Sequence, residues 1–154
     1  KGMPELTLKR IFRKVPYAKN AITSIKRLKK RGFKLIALST GLQYLAEDLD
    51  KKIGFDCMVY NRLLSRRGKL TGSIKINMSY MEKGKVIKRI LKKMRIKPHE
   101  VVAVGDSVGD IPMAKLSGFS IGFNSSDKGF SKTVDHDCKT KDFNEVFDKI
   151  IANS

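Results

Sequence analysis

Apolar residues fall along this chain in two rhythms. One recurs every three to four positions, as on a helix with one buried face, and the other is a short unbroken run, as in a strand buried on both faces. Ile22, Ile25 and Leu28 follow Asn20, a residue type suited to a helix N-cap, and Gly32 closes that helix. Phe33–Leu38 reads as a buried strand, Lys34 excepted, and Leu42, Leu45 and Leu49 mark a helix that ends before Gly54. Cys57–Tyr60 reads as a short strand. Arg62–Ser65 and Lys69–Thr71 flank Arg66-Arg67-Gly68 as the arms of a β-hairpin. Glu82–Arg95 has the strongest helical period, with Val86, Ile87, Ile90, Leu91 and Met94 on one face. Beyond Pro98 come a strand at Val101–Val104, a short helix at Ile111–Leu116 closed by Gly118, and a strand at Phe119–Phe123. A short strand at Val134–Cys138 and a terminal helix at Phe143–Ile151 complete the pattern.

Helices alternating with buried-type strands predict an α/β fold with a mainly parallel sheet. At 154 residues the chain is long enough for one domain with a real core. No internal repeat or low-complexity tract interrupts it.

Charge complicates this picture, because the formal net charge is +18. Nucleic-acid binding is one reading of such an excess, and a lysine-rich solvated surface is the other. The basic residues are spread widely, with small clusters at Lys26–Arg31, Arg66–Lys69 and Lys92–Lys97. None is interleaved with aromatics, and Trp is absent. This argues against a nucleic-acid partner, while a field that steers anions toward a site fits either case. No apolar run approaches the roughly 20 residues of a membrane span, so no membrane partner is expected. Lys1–Lys14 is basic but lacks the apolar core of a signal peptide. Cys57 and Cys138 lie far apart and read as free thiols of a cytoplasmic protein.

Four places carry candidate chemistry. Val101–Val104 runs into Gly105-Asp106-Ser107-Val108-Gly109-Asp110, two carboxylates at a strand tip, where open α/β sheets bind ligands. They suit a magnesium ion serving an anionic substrate, although Asp is also common at any helix start. Leu35–Leu38 runs into Ser39-Thr40-Gly41, a hydroxyl and amides able to hold phosphoryl oxygens, or simply a helix cap. Lys83, in Glu82-Lys83-Gly84-Lys85, stands at a helix N-terminus, where a cation is unfavourable unless it serves an anion. Gly122-Phe123-Asn124 ends a strand in a polar side chain, a weaker signal.

A hydroxyl, a lysine and two carboxylates in this order resemble the second, third and fourth motifs of the haloacid dehalogenase superfamily of phosphatases. The nearest likeness is to its phosphoserine phosphatase-like branch. Asn61-Arg62-Leu63 and Gly68-Lys69-Leu70-Thr71-Gly72 look like that branch's hairpin. Gly105–Met113 looks like its fourth motif, and Gly118-Phe119, Ile121–Asn124 and Val134-Asp135-His136 resemble its tail. The resemblance implies a Rossmann-like core over residues 15–154, with helices on both faces of the sheet, and residues 1–14 as the end of a helical cap. It implies a magnesium-dependent hydrolase of small phosphomonoesters acting through an aspartyl-phosphate. In that mechanism Asp106 binds the metal, and Asp110 binds it through water or holds the loop. Ser39, Thr40 and Gly41 bind phosphate, and Lys83 neutralises phosphate and nucleophile.

The chain departs from the pattern in three places. Thr40-Gly41 stands where Gly-Gly is common, and Gly109 stands where Asn is common. The first motif, an apolar strand ending Asp-x-Asp-x-Thr that supplies the nucleophile, is not found in these residues. The expectation is that it lies upstream. Its strand sits mid-sheet in the family, so the sheet read here is incomplete without that segment or a second chain. The alternatives are a catalytically inactive phosphate-binding remnant and a basic nucleic-acid-binding module.

Overall fold

The computed structural model describes residues 1–154. Along the chain run α1 (Glu5–Phe12), α2 (Ala21–Lys30), β1 (Ile36–Leu42), α3 (Gln43–Ile53), β2 (Cys57–Arg66) and β3 (Lys69–Lys75). Then follow α4 (Lys83–Met94), β4 (Val102–Gly105), α5 (Ile111–Ala114), β5 (Phe119–Phe123), α6 (Lys128–Ser131), β6 (His136–Cys138) and α7 (Phe143–Ala152). Single 3₁₀ turns at Tyr80–Glu82, Pro98–Glu100 and Val108–Asp110 join some of them. This is the α/β alternation expected. The strands form two three-stranded sheets, β1-β2-β3 and β4-β5-β6. No helix is long and apolar enough to cross a membrane.

The chain divides into two compact units, each built from two stretches of sequence. The first comprises Lys1–Tyr17 and Gly32–Ser79. Here β1 and β2 are parallel and β2 and β3 antiparallel. The hairpin turns on Arg67 and Gly68, both at positive φ (49° and 72°), the geometry that matches the right-handed twist of the two arms. α1 follows a stretch bound to the hairpin: Leu70 N donates to Met3 O (2.9 Å), and Glu5 N to Gly68 O (2.9 Å). The expected strand at Phe33–Leu38 starts later, at Ile36, and runs on to Leu42. The expected short strand at Cys57–Tyr60 continues unbroken through Asn61 to Arg66.

The second unit comprises Ala18–Arg31 and Tyr80–Ser154. Its sheet is all parallel, with Val102 beside Phe119 and Ile121 beside His136. Ile121 and Val146 are fully buried, and Val86, Ile87 and Leu91 of α4 are nearly so, which accounts for the period read in the sequence. On α2 the most buried positions are Ala21, Ser24 and Leu28, while Ile22 and Ile25 are only half-buried. The Ser24 hydroxyl donates to Asn144 Oδ1 of α7 (2.7 Å), and the Arg27 guanidinium lies 3.8 Å over the Phe147 ring. Asn20 occupies the N-cap of α2, but its side chain makes no cap. It donates instead to both oxygens of Asp142, at 2.9 and 3.0 Å.

Candidate active site

In the first unit, β1 does not simply stop at Ser39. Between Leu38 and Leu42 it advances four positions while β2 advances two, from Val59 to Asn61. The three intervening residues, Ser39-Thr40-Gly41, leave the ladder as a bulge opposite the single residue Tyr60 and are exposed. Gly41 N donates to Ser39 Oγ at 3.0 Å. Neither Ser39 nor Thr40 caps the next helix, because the N-cap of α3 is Leu42 and no side chain bonds there.

One buried amide, Asn61, anchors this bulge, and a second, Gln43, ties the start of α3 to β2. Asn61 donates from Nδ2 to Thr40 O (3.0 Å) and Met78 O (3.1 Å), and its Oδ1 accepts from Asn77 N (2.8 Å) and Met78 N (3.1 Å). Gln43 Nε2 donates to Leu63 O (3.1 Å) and its Oε1 accepts from Leu63 N (3.0 Å). Its side chain thereby supplies the pair of bonds that a neighbouring strand would otherwise make.

In the second unit, β4 ends at Gly105 and delivers Asp106 to the carboxyl end of the sheet. Asp110 lies back under this turn and is 2 % exposed. Its Oδ2 accepts from Asp106 N (3.0 Å) and more weakly from Ser107 N (3.4 Å). Its Oδ1 is 2.5 Å from Lys83 Nζ, the ammonium of the first residue of α4. The cation that looked misplaced at a helix N-terminus is therefore neutralised by a buried carboxylate. Both oxygens of Asp110 are engaged, Oδ1 by Lys83 of α4 and Oδ2 by the loop amides, whereas the Asp106 side chain reaches solvent. Desolvation from the loop beneath raises the Asp106 carboxyl above the usual range, the Asp110 charge and hydrogen bond raise it further, and Lys83 opposes them.

Sequence reasoning missed the outer supports of this loop. Ser125 Oγ donates to Asp106 O (2.6 Å), and Val108 N donates to Asp127 Oδ2 (3.0 Å). Asp127 also caps α6, its Oδ1 accepting from Gly129 N and Phe130 N. An Asp three residues before Phe130 was a readable cap signal, but nothing in the sequence tied it to Val108. Val104, Gly105, Asp106, Phe123 and Asn124 line an open cavity of about 330 Å³ at the ends of β4 and β5. Asn124, the weakest of the four sequence signals, thus shares a cavity with Asp106 and stands at φ 52°. Lys83, Asp106 and Asp110 are grouped in this unit, and Ser39, Thr40 and Gly41 in the other.

The donor set around Asp106 can be tested against magnesium. This hard cation takes one or two carboxylates plus waters and phosphate oxygens. An outward-facing carboxylate crowded by a second negative group fits that demand, and no soft ligand intrudes on the cavity lining.

The parallel α/β core thus presents an acidic loop at the carboxyl end of β4, with a lysine bonded to it. The sequence model of the haloacid dehalogenase-like hydrolase family matches residues 9–118, and the chain belongs to that family. Among its relatives is the phosphoserine phosphatase of Archaeoglobus fulgidus, 34 % identical over 128 residues that make up 82 % of this chain and 37 % of the relative. Another is the phosphoserine phosphatase of Methanocaldococcus jannaschii, 32 % identical over 124 residues, 80 % of this chain and 59 % of the relative. The chain spans about half the length of the curated relatives it matches. A substrate-bound phosphoserine phosphatase structure superposes with a TM-score of 0.88 at 28 % identity, covering 97 % of this chain and 71 % of that one. A phospho-aspartyl intermediate analogue of phosphoserine phosphatase gives a TM-score of 0.86 with the same identity and coverage.

Proposed function

We propose that these residues form the core of a magnesium-dependent phosphomonoester hydrolase of a small molecule, similar to the phosphoserine phosphatases. The observation that carries this reading is the Lys83–Asp110 pair, which fixes a cationic head beside the exposed Asp106 carboxylate. Of the two roles open to Asp110, its engaged oxygens favour holding the loop. Asp106 is the residue we assign to the metal. A magnesium ion bound there supplies positive charge that offsets the charge of the phosphate.

The chain's own groups do the rest. Ser39 Oγ accepts from Gly41 N, so its hydroxyl hydrogen is left to donate to a phosphoryl oxygen, together with the Thr40 amide. Lys83 has donors beyond the one given to Asp110, and these neutralise negative charge on the phosphate and on the attacking group. On the same reading, residues 1–14 end a helical cap, and the attacking aspartate belongs to a first-motif strand outside the residues matched here. Such a strand comes from an upstream segment or a second chain, and β1 and β4 are strands with an edge left open. Each of these strands lies at the end of its own sheet.

The test is magnesium-dependent release of phosphate from a panel of small phosphomonoesters. It is run on these residues alone and on a form carrying an Asp-x-Asp-x-Thr strand ahead of Lys1. Activity is expected only in the longer form, and Asp106→Asn should lower it at least a hundredfold, roughly the scale of losing a charge-stabilising group. Equal activity of the longer form with and without Asp106→Asn removes the metal assignment. Activity of the residues alone removes the need for the added strand.

A further inference from the structure

β6 carries His136 and Cys138 two positions apart, so both side chains leave the same face of the strand. The first turn of α7 sets Glu145 against them. His136 Nε2 lies 3.1 Å from Glu145 Oε1, and one ligand atom from each of His136, Cys138 and Glu145 lies within 4.8 Å of the other two. Cys138 is 3 % exposed, while the His136 and Glu145 side chains are 28 % and 27 % exposed. A buried thiol thus forms the floor of a small cluster that opens to solvent on its nitrogen and oxygen side. None of these groups belongs to the Asp106 loop.

We propose that His136, Cys138 and Glu145 bind a borderline-soft divalent transition-metal ion, zinc above all, and that the ion joins β6 to α7. Tetrahedral zinc, with Zn–S of about 2.3 Å and Zn–N of about 2.0–2.1 Å, sets neighbouring ligand atoms about 3.3–3.6 Å apart. The His136–Glu145 pair is already close to that spacing, so closing the site needs only an inward movement of roughly 1 Å by the sulfur. One nitrogen, one sulfur and one carboxylate oxygen suit zinc and not magnesium, which selects oxygen ligands alone. The fourth position faces solvent and takes a water. Thr140 Oγ1 donates to Glu145 Oε2 at 2.7 Å, which leaves Oε1 aimed at the cluster. Without an ion, burial and then the Glu145 charge push the Cys138 thiol up to about 12. On binding, the S–H bond breaks, the proton passes to solvent and the thiolate bonds the metal, with no change of oxidation state.

The test uses the metal-free 154-residue chain titrated with Co²⁺ and then Zn²⁺. We expect one equivalent of Co²⁺ to give the intense visible bands of a tetrahedral ion and a sulfur-to-cobalt charge-transfer band, both erased by Zn²⁺. The thermal midpoint should rise by several degrees. Cys138→Ala should abolish the charge-transfer band and weaken zinc binding by about a hundredfold or more, whereas Cys57→Ala should leave both unchanged. Should Cys138→Ala not fold, loss of the tetrahedral bands in a folded His136→Gln variant carries the same weight. A weak octahedral cobalt spectrum, a charge-transfer band that survives Cys138→Ala, or binding lost instead in Asp106→Asn overturns the proposal.

Discussion

A Cβ placed on Gly105 would stand 2.5 Å from the Cβ of Asp110 and 2.7 Å from its Oδ2. The last residue of β4 and the buried carboxylate of the loop therefore fill the same space, and only a hydrogen at position 105 lets one pass the other. The restriction is one of volume, since Gly105 is not among the residues at positive φ. Because Asp106 N and Ser107 N both bond to Asp110, a displaced Asp110 frees them. Gly105→Ala is expected to cost about 1–3 kcal/mol of stability as overpacking. It should also speed amide exchange at residues 106 and 107. Unchanged exchange at both would show that the loop keeps its shape without Asp110.

Lys83 and Asp110 form an ion pair whose side chains are 12 % and 4 % exposed. Removing one member strands a charge where water cannot reach it, which costs far more than the pair contributes. Lys83→Met should therefore destabilise the protein by about 3–5 kcal/mol. Adding Asp110→Asn removes the stranded charge and keeps an acceptor for the loop amides. The double variant should then be more stable than the sum of the singles, by a coupling of about 1–3 kcal/mol. Urea unfolding of the four proteins measures it, and strict additivity would mean that the pair is not coupled.

The elements that were legible in the sequence are those whose pattern is written by burial. α4 was read at Glu82–Arg95 and spans Lys83–Met94, because Val86, Ile87 and Leu91 are buried at helical spacing. β5 was read at its observed bounds for the same reason. What escaped depends on partners far apart in sequence. Asn61 figures in the sequence only as the start of a hairpin-like motif after a strand ending at Tyr60, yet it continues β2 as a buried amide with all its bonds made. Gln43 carries no periodic signal, since its value lies in matching the backbone of Leu63 across a sheet edge. The order of Ser39, Lys83, Asp106 and Asp110 was enough to suggest the family. That Asp110 faces inward and Asp106 outward is set by the fold of the loop and not by their spacing.

Asn61 makes the first unit testable on its own. Its amide satisfies Thr40 O, Met78 O, Asn77 N and Met78 N, and Met78 itself is fully buried. Asn61→Leu removes every one of these partners while keeping side-chain bulk. Met78 N and Met78 O are the fully buried groups among them, and each left unpaired costs about 1–3 kcal/mol, so a loss of about 2–6 kcal/mol is expected. The bulge should respond as well, because Thr40 O loses its anchor. Amide exchange across residues 39–41 should rise, with α3 less affected. Protection that stays intact at 39–41 would place the bulge's rigidity elsewhere.

Asp142 sets an acid limit for the second unit. The Asn144 amide, the Asn20 side chain and the Lys19 ammonium together hold its carboxyl down at about 2. A carboxyl whose folded pKa lies below its unfolded value of about 3.9 binds fewer protons in the folded state. Its stabilising effect is therefore complete above about pH 4 and is lost as the pH falls toward 2. Asp142→Asn keeps the shape but loses the charge that Lys19 and Asn20 bind. The variant should melt lower than the parent at neutral pH, and the gap between the two should close between about pH 4 and pH 2. Asp127 and Glu145, whose carboxyls are also held low, titrate in both proteins and cancel in the difference. Thermal melts of the pair across that range decide the matter. A gap that persists unchanged at pH 2 would mean that Asp142 acts through packing and not through its charge.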